Sequence, residues 1–89
     1  MNQRQEIDAE IAVVRALLVD VAHHLSRSQL ASVEELLRHD EPNEALLNIA
    51  WRLASLQIRL PEGTLRRIRE ATGNSEDLPP SFRSAGPVG

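Results

Sequence analysis

Cysteine, lysine and tyrosine are all missing from this chain, and Trp51 and Phe82 are its whole aromatic complement. Without cysteine there is no disulfide framework, no thiol nucleophile and no thiolate zinc site. A hydrophobic interior therefore has to be assembled from Leu, Ile, Val and Ala side chains. All fixed positive charge is arginine, 10 residues against 13 carboxylates, for a formal net charge of -3. That balance offers no broad cationic surface to a phosphate backbone, so nucleic-acid binding would need a local patch. No long apolar run occurs either: Arg15 and Asp20 break the most apolar segment, and no membrane span is expected. The stretch Met1 to Glu6 leads into charged amphipathic sequence in place of the apolar block and small-residue cleavage site of a signal peptide, which makes cytoplasmic residence the expectation. The glycines, Gly63, Gly73, Gly86 and Gly89, are too dispersed to form a phosphate-cradling loop.

What is present has helical rhythm. With 89 residues the chain has room for one domain. Ile7, Ile11, Val14, Leu18, Val21 and Leu25 recur at three- and four-residue steps, and Val13, Ala16 and Leu17 widen the apolar stripe. The pair Ser32 and Glu35 has the spacing of a capping box and predicts the start of a short helix carrying Leu36 and Leu37. Pro42 ends that helix and suits the first turn of the next, capped by Asp40 or Glu41. From Asn43 to about Arg59 apolar residues cover most of the cylinder, leaving Asn48, Arg52, Ser55 and Arg59 as a narrow polar seam; this is the expected central helix. Leu60 and Pro61 reset the chain. A last helix runs to Thr72, turns Leu65 and Ile68 inward, and stops at Gly73 and Asn74 in left-handed geometry. Residues 74–89 lack periodicity and are rich in proline and small residues. The expectation is an all-α array of about four short helices around a hydrophobic central one, residues 1–73, followed by a flexible tail, 74–89, in which Phe82 is the one candidate anchor.

A catalytic or metal centre is hard to assemble from these residues. His23 and His24 are adjacent and point about 100 degrees apart on a helix, and His39 beside Asp40 is read as a local cap or ion pair. Neither a metal site nor a cofactor is expected, and no nucleophile with an oriented base stands out, so the chain is read as a non-enzyme. The acidic residues Glu34, Glu35, Asp40, Glu41 and Glu44 crowd a helix–turn–helix junction, opposed locally only by Arg38. Such a cluster is either a set of solvated helix-start acids or a surface that attracts a basic protein. Arg52, Arg59, Arg66, Arg67 and Arg69 follow, with Glu62–Arg66 and Arg66–Glu70 at ion-pairing distance along one helix. Trp51 is read as a core or half-core residue, with an exposed interface anchor as the alternative.

The stretch from Val33-Glu34-Glu35-Leu36-Leu37 through Asp40-Glu41-Pro42 to Ala45-Leu46-Leu47 and Trp51-Arg52-Leu53, followed by Leu60-Pro61-Glu62, resembles small all-helical immunity proteins of bacterial polymorphic toxin systems. The resemblance spans roughly residues 30 to 70. It implies a protein that binds a cognate toxin, often a nuclease, and neutralises it by occlusion. Glu41 matches the family's acidic position at the turn, with Asp40 and Glu44 beside it. The expected partner-binding surface is then Leu37, Asp40, Glu41, Glu44 and Arg52, and the partner a basic protein toxin. A homo-oligomeric structural or regulatory helical module, for instance a homodimer, is the alternative function, and DNA binding through the arginines ranks behind it.

Overall fold

The computed structural model describes residues 3–83, which form an all-helical bundle: α1 (Gln3–Val21), a short 3-10 turn (Ala22–His24), α2 (Arg27–Arg38), α3 (Pro42–Ser55) and α4 (Glu62–Thr72). No strand occurs among the described residues. The central position goes to α3, which packs against each of the other three α-helices. Its buried set, Ala45, Leu46, Leu47, Ile49, Ala50 and Leu53, meets Val14, Leu17, Leu18 and Val21 from α1, Val33 and Leu37 from α2, and Ile68 from α4. No polar or charged side chain is buried among the described residues. The core is therefore held by apolar burial and packing alone, with no internal polar network to fix its geometry.

Backbone chemistry sets the helix ends, and two of them differ from expectation. The capping box lies at Ser26 and Gln29, six residues before the predicted one. Ser26 Oγ accepts from the Gln29 amide at 3.2 Å, and Gln29 Oε1 accepts from the Ser26 amide at 2.8 Å. Ser32 is instead inside α2, where its hydroxyl donates to the Ser28 carbonyl at 3.0 Å. The sequence holds the Ser-x-x-Glu/Gln signature twice, and the earlier copy is the one that follows a break, at the extended Ser26.

The end of α3 also comes sooner than Arg59. Gln57 takes a left-handed conformation (φ 57°), and the Ile58 amide reaches back to the Leu53 carbonyl at 3.1 Å, a closure that caps the helix without glycine. The same closure ends α2, with Asp40 left-handed (φ 60°) and the Glu41 amide bonded to the Leu36 carbonyl at 3.0 Å. Glu41 then caps α3 through its own carbonyl, which accepts from the Ala45 amide at 3.0 Å, and Pro42 opens the first turn. Gly73 (φ 67°) and Asn74 (φ 53°) stop α4 as expected.

The expectation of a flexible tail from residue 74 is corrected for residues 74–83. Leu78 and Phe82 are 1% and 3% exposed and belong to the hydrophobic core, and Pro79 is buried beside them. Polar contacts hold the segment at both ends: Trp51 Nε1 donates to the Asp77 carbonyl at 2.6 Å and Arg69 Nε donates to the Phe82 carbonyl at 2.7 Å. An apolar residue pair among prolines has no helical period, yet it closes a side of the bundle that short helices leave open. The part of the expected tail from 84 to 89 lies outside the described residues.

Candidate functional site

The turn between α2 and α3 is built to present acid. With Asp40 in left-handed geometry, three residues join α2 to α3, and α3 starts with Glu41 at its cap and Glu44 in its first turn, where negative charge is favoured by the helix dipole. The expected acidic cluster divides into two groups. Asp40 is held by Arg4 of α1, whose two terminal nitrogens lie 2.7 and 2.8 Å from its carboxylate oxygens. Hydrogen bonds from Arg4 pull the Asp40 carboxyl below the ordinary carboxylate range, against the opposing pull of partial desolvation. Glu34 is paired with Arg15 of α1, and Glu35 with His39 at 2.9 Å and Arg38 at 3.4 Å. Among the described residues the carboxylates of Glu41 and Glu44 have no hydrogen bond or ion pair, and both side chains are exposed.

Leu37 does not belong to this surface. It is 2% exposed, one turn after Val33 on the inner face of α2, and its assignment as a contact residue is corrected to a core position.

The outer face of α3 extends the two free acids into a longer surface. Glu44, Asn48 and Arg52 follow one another at four-residue steps and so share a face, with Trp51 and Ser55 alongside. All are exposed, and the Arg52 guanidinium is without an intramolecular partner among the described residues. Trp51 is 52% exposed, so it is not a core residue. Its N–H is satisfied by Asp77, which fixes the ring while half of its surface stays in water. A held aromatic next to a free arginine is the kind of pair that dominates binding energy at protein interfaces. A shallow furrow lined by Ala31, Ser32, Glu35, Leu36 and Asn48 runs beside this face between α2 and α3. Of the sequence-derived contact residues the fold thus places Glu41, Glu44 and Arg52 on one continuous surface and turns Asp40 toward α1. Trp51 joins them; the signal for it was its place on α3 beside Arg52, at the edge of the polar seam.

The arginines of α4 are arranged differently from the expected pairs. Arg69 bonds Glu62 at 3.0 Å across seven residues, Arg67 bonds Asp20 of α1 at 3.2 Å, and neither the Glu62–Arg66 nor the Arg66–Glu70 pair forms. The Arg69 guanidinium that meets Glu62 also donates to the Phe82 carbonyl. Among the described residues no group of three potential metal ligands is gathered, and the rings of His23 and His24 lie tilted with centroids 3.9 Å apart. Among the described residues no helix is long and apolar enough to cross a membrane. The chain matches no family model, no curated protein and no solved structure.

Proposed function

We propose that this chain is a binding protein that captures a basic protein partner through the acidic turn and the outer face of α3, and that it acts as an immunity protein occluding a bacterial toxin. The observation that carries this reading is the surface on which the free carboxylates of Glu41 and Glu44 share one end with a fixed, half-exposed Trp51 and a free Arg52 at the other. Unpaired acids accelerate encounter with a cationic partner, and the aromatic and arginine supply short-range contact area once it has docked. In a nuclease such a partner surface is one that binds phosphates, and carboxylates are suited to cover it.

The test pairs the chain with the C-terminal domain of a secreted protein encoded by a neighbouring reading frame. Titration calorimetry is expected to give tight binding that Glu41→Lys weakens at least about tenfold, with circular dichroism unchanged and stability lowered by no more than about 1 kcal/mol, the helix-start charge effect. Binding of the variant equal to that of the parent removes the acidic-surface assignment, and a neighbouring frame without such a domain removes the toxin reading. A second reading, association of two copies, is favoured by the exposure of Val19 (77%) and Leu56 (47%). Light scattering that gives only the monomer mass at high concentration eliminates it.

A further inference from the structure

On the flank formed by α1 and α4 the bundle leaves a second apolar surface that the acidic turn does not use. A cavity of about 210 Å³ opens between α1 and the start of α3, with Val14, Leu46 and Pro42 among its walls. It shares Val13 and Ala71 with a shallow trough that continues along Ala12 and Ala16 of α1. Val13 is 44% exposed, and Ala12, Ala16 and Ala71 are exposed as well. The small side chains along the trough would let another backbone approach closely, and the cavity at its end has room for a larger apolar side chain.

The rim is acidic and uncommitted. Glu10 borders the cavity and Glu70 the trough, and neither carboxylate has a partner among the described residues; Arg66, one turn before Glu70, makes no pair with it. The cationic side chain that does line the trough, Arg67, is already bonded to Asp20 at 3.2 Å.

We infer that this trough is a docking site for a basic amphipathic helix of a partner protein, whose apolar stripe lies on Val13, Ala16 and Ala71 and whose arginines or lysines meet Glu10 and Glu70. The charge decides among occupants. A second copy would bring the acidic rims together in a chain whose net charge is already -3, and anionic lipid or nucleic acid would meet the same repulsion. Pro42 and Asn43 in the cavity wall adjoin Glu41 and Glu44, but neither of those carboxylates lines the cavity or the trough, so the site does not depend on the toxin reading.

The experiment is an amide NMR titration of the full chain with an amphipathic helical peptide about 18 residues long, long enough to hold helical structure, with alanine and leucine on one stripe and arginine on its flanks. Expected are shifts centred on Val13, Ala16 and Ala71, and at least about a tenfold loss of affinity in Val13→Arg and in the Glu10→Arg/Glu70→Arg double variant, both at exposed positions. The inference is overturned by an absence of shifts, by shifts elsewhere, by equal binding of a peptide carrying glutamate in place of arginine, or by a dimer of the free chain that Val13→Arg dissociates.

Discussion

Phe82→Ala asks whether the segment after α4 is part of the folded body. Phe82 is 3% exposed and is packed into the same core as Leu78 and Ile68. Truncating a buried phenylalanine costs about 3–5 kcal/mol, the amount depending on how far the surroundings relax into the space. Here the ring borders an open crevice lined by Ile58, Leu60 and Leu65, so water and neighbouring side chains can refill part of it. The lower end of that range, about 3 kcal/mol, is therefore expected. In a domain of this size that loss corresponds to a fall in Tm of about 12–24 °C. The assay is urea unfolding followed by circular dichroism and, independently, by Trp51 fluorescence, because the indole N–H is bonded to Asp77 in the same segment at 2.6 Å. Both probes are expected to shift together to lower urea in Phe82→Ala, with Phe82→Leu in between. A stability within about 0.5 kcal/mol of the parent, the range of an ordinary surface substitution, refutes the packing of this segment.

Three further outcomes follow from the helix ends and the Arg4–Asp40 contact. Ser26→Ala is expected to cost about 1 kcal/mol through loss of the capping box, whereas Ser32→Ala is nearly neutral or slightly stabilising, and urea unfolding of the two variants decides which serine starts α2. Gly73→Ala meets no neighbouring atom within 4 Å but forces an L side chain to φ 67°, so a loss of about 1–2 kcal/mol is expected from backbone strain alone. Asp40 has a lowered carboxyl pKa in the folded state, so the stability it contributes is present above the unfolded-state value of about 3.9 and is lost as pH falls through the folded value. Asp40→Asn, which tolerates the left-handed backbone, is expected to lower stability at neutral pH and to flatten its decline in acid; equal acid sensitivity of both proteins in pH-dependent unfolding would contradict that linkage.

The elements that were legible in the sequence are those whose apolar residues repeat with a helical period over several turns. The stripe through Val14, Leu18 and Val21 and the nearly continuous apolar run from Ala45 to Leu53 are enough to predict α1 and α3, and Pro42, Gly73 and Asn74 mark ends that proline and glycine chemistry dictates. Less visible was any feature decided by partners distant in sequence. Leu78 and Phe82 have no periodic neighbours, and their burial depends on a gap that exists only after α3 and α4 have packed. Gln57 adopts left-handed geometry without glycine, so α3 ends where the sequence gives no stop. Within the acidic cluster the sequence does not tell Asp40 from Glu41, since their difference is the arrival of Arg4 from the far end of α1. Likewise Leu37 and Glu41 are near neighbours in sequence, but α2 turns the first inward and its closing turn leaves the second in water.

We propose that Glu41, Glu44, Trp51 and Arg52 act as one contact surface for a basic protein. Hydrogen exchange of the chain, free and bound to the proposed basic protein partner, reads that surface directly. Protection is expected to be gained at the α2–α3 turn and along the first three turns of α3, with Trp51 emission changing in the same titration. Protection confined to the opposite side of the bundle, with the turn exchanging as freely as before, would contradict the assignment.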